Sequence, residues 1–267
     1  MCEAEPSGPP ELPSLAEYLP EGIRCISVVS GKGGVGKSVV TGLLAVALAR
    51  SGHQVGILDA DLTGPSIPRM LGVTHAGEMA GTRLLPALSP ELGIRVMSIN
   101  LLLQHDDDPV IWRGPLLAKT IEQFVTDVAW EGCRYLLLDL PPGTSDVPLT
   151  VMQRLPLSGV LVVTAPQALV GMIVAKAVKM ARLLGVPVLG LVENMTHVVC
   201  PSCGSRLALF GERLQVPVRG EGEVPVVARI PLDPALAQHC DRGTLESYPA
   251  NPLAALAETL AGRECPR

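Results

Sequence analysis

The chain has 267 residues, 48% of them hydrophobic and 18% charged, with a formal net charge of -5. That length and apolar content suffice for one large core, and a single domain is the simplest arrangement they allow. No apolar run reaches the roughly 18 to 20 residues that a membrane-spanning helix needs, and the N-terminus lacks a basic and apolar leader, so the expectation is a soluble cytoplasmic protein without a membrane partner.

Residues 1–22 hold Glu3, Glu5, Glu11, Glu17 and Glu21, five prolines and no Lys or Arg, so they account for the whole net charge. This predicts a flexible acidic tail over 1–22, mobile or only loosely docked, ahead of a single neutral domain over 23–267, and a neutral body discourages nucleic-acid binding. Seven short apolar runs follow: 25–30, 54–59, 94–99, 134–139, 160–165, 187–192 and 225–230. They are continuously apolar instead of alternating, and the segments between them are long enough for crossover helices. The predicted fold is therefore α/β: a doubly wound, mostly parallel sheet with helices on both faces. In such sheets ligands bind beyond the carboxyl ends of the strands.

The first strand runs directly into Gly31-Lys32-Gly33-Gly34-Val35-Gly36-Lys37-Ser38, which satisfies GxxxxGK[ST], and then into an apolar helical run from Val39 to Arg50. Glycines let backbone N–H groups turn toward phosphate oxygens. The helix N-terminus adds a favourable dipole, Lys37 is expected to reach the β- and γ-phosphates, and Ser38 is expected to ligate Mg²⁺. Asp59 and Asp61 follow the second strand. Asp139 ends the fourth run ahead of Leu140-Pro141-Pro142-Gly143. An acidic residue at a strand end beside a P-loop supports Mg²⁺, and Asp139 is the candidate. Asp61 either orients the attacking water or caps a turn near Gly64-Pro65.

Seven cysteines are an odd number, widely spaced, which fits a reducing compartment; Cys25 and Cys133 are expected to pack in the core. Cys200 and Cys203 stand at ligand spacing in His197-Val198-Val199-Cys200-Pro201-Ser202-Cys203-Gly204. Two thiolates do not close a site, so the chain either borrows a pair from a second copy or adds ligands such as His197 and Cys240. Iron, zinc and a redox dithiol all remain compatible with the spacing.

The motifs GKGGVGKS, DADLTGPSIP, LLLDLPPGTSD and LVENM with CPSCG resemble the Mrp/NBP35 family of iron-sulfur cluster carrier ATPases over roughly residues 22 to 262. The second-position lysine resembles the wider deviant Walker A group. That resemblance implies a nucleotide-sandwiched homodimer in which Lys32 reaches the partner's phosphates. It assigns Asp61 to the first switch, Asp139 to the surroundings of Mg²⁺ and Asn194 to the adenine edge. Pro231 and Asp233 are weaker candidates for the same base pocket. It makes the metal a labile [4Fe-4S] cluster that bridges the dimer and passes to apo iron-sulfur proteins. The chain departs from the family after CPSCG, where a short charged link, Phe210-Gly211-Glu212 and LQVPVRGEGEV, replaces a Gly-rich stretch and helix. Trp112-Arg113-Gly114-Pro115 reads as a helix start with Pro115 in the first turn. Two rivals are a MinD- or ParA-like positioning ATPase, which needs a basic tail or patch that is missing here, and a reductase like the nitrogenase iron protein, whose cysteine pattern differs.

Overall fold

The seven apolar runs each become a strand of one sheet in the computed structural model, which describes residues 13–61, 66–102, 114–144, 146–166, 170–209, 217–218 and 222–262. The strands are β1 (Arg24–Ser30), β2 (Val55–Asp59), β3 (Ala87–Leu88), β4 (Arg95–Ser98), β5 (Tyr135–Asp139), β6 (Leu157–Thr164), β7 (Val188–Glu193) and β8 (Val226–Arg229). Their order is β8-β7-β6-β1-β5-β2-β4-β3. All neighbours are parallel except β3, an edge strand that pairs antiparallel with β4.

The helices are α1 (Lys37–Arg50), α2 (Ile67–Met70), α3 (Gly114–Thr126), α4 (Asp146–Arg154), α5 (Val170–Leu183), α6 (Pro234–Arg242) and α7 (Ala254–Gly262). Pro115 thus stands in the first turn of α3, as read, while Trp112 and Arg113 lie outside the described residues, as does the Phe210-Gly211-Glu212 link.

The sheet has a hydrophobic core on each side, which is why its central strands read as unbroken apolar runs. Leu136 and Leu138 of β5 pack toward α3, α4 and α5, while Tyr135 and Leu137 pack toward α1, α2, α6 and α7. Helix α1 is apolar on every side because it is buried from Val40 to Leu48. The chain leaves β1 toward one face through α1 and leaves its neighbour β5 toward the other through α4. Divergent crossovers from adjacent strands open a ligand crevice at their carboxyl ends.

The acidic segment is described from Pro13 onward, and there it is docked. Leu15 and Leu19 are buried in the core that covers α4, the Leu15 N–H donates to the Arg154 carbonyl at 2.8 Å, and Arg154 Nε donates back to the Pro13 carbonyl at 3.1 Å.

Candidate nucleotide and metal sites

The Gly31–Ser38 loop can turn from β1 into α1 because Gly34 and Gly36 adopt left-handed backbone, each with φ of 80°. Gly36 is required for a second reason: a Cβ there would collide with the Asn194 amide. Helix α1 begins at Lys37, so the free N–H groups of its first turn and the positive end of its dipole face the loop.

Beside the loop, β2 and β5 run in register with Asp59 opposite Asp139, and both carboxylates are fully buried. Lys37, 5% exposed, pairs with Asp139 Oδ2 at 2.8 Å and Asp61 Oδ2 at 3.5 Å. The Ser38 hydroxyl donates to the same Asp139 oxygen at 2.5 Å, and the Thr41 hydroxyl donates to Asp139 Oδ1 at 2.7 Å. Asp59 Oδ1 accepts the Asp61 N–H at 3.2 Å and its Oδ2 lies 3.4 Å from the Ser98 hydroxyl. Burial first, and the Asp139 carboxylate second, push the Asp59 acid well above the ordinary carboxylate value, with Lys37 pulling the other way. Three carboxylates thus converge on one ammonium. The Ser38 hydroxyl, backed by the Asp139 carboxylate, is a hard oxygen donor of the kind that holds Mg²⁺ together with nucleotide phosphates, so the residues present fit that ion.

The structure brings together Gly31, Lys32, Gly33, Gly34, Val35, Gly36, Lys37, Ser38, Asp61 and Asp139. Lys32 is exposed, and its carbonyl accepts the Ser30 hydroxyl at 3.1 Å. Asn194 also belongs to this cluster, in a way the sequence did not indicate. Its side chain is buried, donates from Nδ2 to the Val35 carbonyl at 2.9 Å and accepts the Met195 N–H at 2.9 Å, so it braces the P-loop. Pro231 directly follows Ile230, whose carbonyl accepts the Thr196 N–H at 3.0 Å. Asp233 serves the fold: its Oδ1 caps α6 by accepting the Ala235 N–H at 2.8 Å, and its Oδ2 accepts the Tyr248 hydroxyl at 2.6 Å. Thr41 and Asp59, which lie behind the loop beside Asp139, were not singled out by the motifs. Thr41 sits in an apolar run, and the opposition of Asp59 to Asp139 is set by strand register.

Cys200 and Cys203 occupy the tip of a hairpin in which Val198 pairs with Leu207 and Val199 with Arg206. Gly204, at φ 72°, closes the turn, and its N–H donates to the Cys200 carbonyl at 2.8 Å. Cys203 is exposed, with the Ser205 hydroxyl 2.9 Å from its sulfur. Hydrogen bonds from the Ser205 side chain first, then the Ser205 backbone and the Cys200 thiol, lower the Cys203 thiol below its usual value. Cys240 is not a partner. It lies buried in the core of α1 and α6, and burial raises its thiol to about 11. His197 is tied at Nδ1 to the Thr196 hydroxyl at 2.9 Å. Among the described residues no group of three or more His, Cys, Asp or Glu side chains could hold a metal. Among the described residues, one chain therefore offers two thiols at this turn.

A parallel sheet with the phosphate loop at the end of a central strand, followed by a buried helix and flanked by a strand-terminal aspartate, defines a P-loop NTPase. A family profile described as "NUBPL iron-transfer P-loop NTPase" matches residues 23–263. An iron-sulfur cluster carrier protein of Clostridium perfringens is 44% identical over 240 residues, covering 86% of this chain and 84% of the relative. One from Methanocaldococcus jannaschii is 45% identical over 226 residues, covering 82% and 76%. The chain belongs to this family of iron-sulfur cluster carrier P-loop NTPases, as its motifs implied. Among solved structures, a nucleotide-binding protein of Archaeoglobus fulgidus in complex with ADP matches at 42% identity and TM-score 0.74, over 88% of this chain and 91% of that one. MinD of Aquifex aeolicus, at 19% identity and TM-score 0.61 over 91% and 99%, shares the fold.

Proposed function

We propose that the chain hydrolyses ATP and carries a labile [4Fe-4S] cluster between Cys200 and Cys203 of two copies, for delivery to apo iron-sulfur proteins in the cytoplasm. The observation that carries this is an exposed two-thiol turn, with no third ligand among the described residues, on a nucleotide-binding fold. A cubane takes four cysteine ligands, and a two-fold axis through the turn supplies them.

In the nucleotide half, Lys37 exchanges Asp139 for the β- and γ-phosphates, and Ser38, backed by Asp139, holds Mg²⁺. The bound cation supplies charge neutralisation at the phosphates. Asp61 orients a water whose oxygen bonds to the γ-phosphorus as the bond to the ADP oxygen breaks, leaving ADP and phosphate. Lys32 completes the neutralisation across the dimer. The base is assigned to the rim beside Asn194 and Pro231, with Asp233 supporting that rim through α6.

Anaerobic reconstitution with iron and sulfide tests the cluster half. Wild type should gain visible absorption and bound iron, and Cys200→Ala/Cys203→Ala should gain neither; equal loading of both would end the assignment. For the nucleotide half, Lys37→Ala should lower ATP turnover by about a hundredfold or more. Undiminished turnover would remove the P-loop from the mechanism.

A further inference from the structure

We infer that Thr41 is a positioning residue for the Mg²⁺ site: its hydroxyl fixes the Asp139 carboxylate so that the opposite oxygen stays aimed at Ser38. The inference rests on the proposed role of Asp139 in supporting the cation.

Thr41 lies one turn after Lys37 in α1 and is fully buried among Val40, Leu43, Leu44 and Ala45. A hydroxyl in such a place is costly unless it is hydrogen-bonded. It has one proton and two acceptors in reach, the Lys37 carbonyl at 3.1 Å and Asp139 Oδ1 at 2.7 Å. The carboxylate is nearer and charged, and hydrogen bonds to ionised acceptors are shorter and stronger than neutral ones, so Asp139 takes the proton.

Among the described residues the other donors to Asp139 are on its other oxygen: Oδ2 receives the Ser38 hydroxyl and the Lys37 ammonium. Rotation of a carboxylate about its terminal torsion meets only a broad, shallow preference. With donors on one oxygen alone, the plane of the group would be poorly defined. Thr41 on Oδ1 defines it. With nucleotide bound, Lys37 and Ser38 would turn to the phosphates and the cation, whereas Thr41, fully buried one turn further into α1, would keep its bond to Asp139. It is the donor that remains in place through the cycle.

The test uses the full chain and equilibrium titration with ADP, in EDTA and across a range of Mg²⁺. Thr41→Val keeps the shape and removes the proton. It should leave ADP affinity in EDTA at the wild-type level and raise the Mg²⁺ concentration giving half of the Mg²⁺-dependent gain by about tenfold, the low end of the loss seen when a group behind a metal ligand is removed. Thr41→Ser, which restores the donor, should restore the wild-type midpoint. A residue that only packs would move the melting temperature and not this midpoint. If Asp139→Asn shifts the midpoint and Thr41→Val does not, Thr41 has no positioning role. If Asp139→Asn itself leaves the midpoint unmoved, the role of Asp139 beneath the inference is wrong.

Discussion

Asp59 and Asp139 face each other across neighbouring strands with no exposure to water, and the single ammonium of Lys37 leans toward Asp139. Ionising a second buried carboxylate beside the first is costly, and burial together with the Asp139 carboxylate raises the acid of Asp59. A group with a raised native value holds a proton that the unfolded chain releases above its ordinary value of 3.8. Its contribution to stability is therefore full below that value and is lost as pH rises toward the native one. The loss has a slope of at most about 1.4 kcal/mol per pH unit for one proton. Asp59→Asn keeps the shape and cannot ionise. Urea unfolding of the nucleotide-free protein should accordingly fall less steeply with pH in Asp59→Asn than in wild type, starting from about pH 4. Parallel profiles would show that Asp59 is ionised in the fold.

At the scale of elements, the hairpin around CxxC shows how a local turn sets thiol chemistry. Gly204 closes the turn so that Ser205 comes back beside Cys203, and the Cys200 N–H donates to the Ser205 carbonyl at 2.9 Å. The thiolate is the reactive form, so a lowered Cys203 thiol ionises earlier as pH rises and is the first to be alkylated. Mapping iodoacetamide adducts on the cluster-free protein near neutral pH should find Cys203 modified ahead of Cys200, and Ser205→Ala should slow Cys203 selectively. Equal rates at the two sulfurs would mean that the serine does not stabilise the thiolate. The sequence carried the CxxC spacing but not this pairing, which depends on the fold of the turn. The same division holds elsewhere. Strands buried on both faces announce themselves as continuous apolar runs, and the P-loop is local in sequence, so both were legible. The two-residue edge strand Ala87–Leu88 has no pattern to read. The approach of Asp59 to Asp139, and of Asn194 to Val35, joins residues whose nearness depends on strand order, so their roles stayed hidden.

For the whole molecule, the nucleotide loop and the cluster turn lie close along one path. Asn194 is bonded to Val35 in the P-loop and stands six positions before Cys200. The segment between them is tied to the end of β8 by the Thr196–Ile230 and Leu232–His197 hydrogen bonds. A rearrangement of the loop has a short route to the thiols, and in the proposed dimer a second copy meets each end of that route. A four-ligand cluster held by the CxxC pair would draw two more thiols from elsewhere, and the exposed Lys32 side chain has no acceptor among the described residues. Exposed Val199, Leu207 and Leu209 flank the thiols, an apolar border that a second copy would cover. Mixing two inactive variants tests whether Lys32 acts across that dimer. Lys32→Ala and Lys37→Ala should each be inactive alone. In a mixed dimer, however, the intact P-loop of the first receives the intact Lys32 of the second, which rebuilds one complete site. Random pairing of equal amounts makes half of the dimers mixed with one working site each, so turnover should recover to about a quarter of wild type. A mixture no more active than its components would place Lys32 within its own subunit's chemistry, or outside it altogether, and would remove the nucleotide-bridged dimer as the device that links hydrolysis to the cluster.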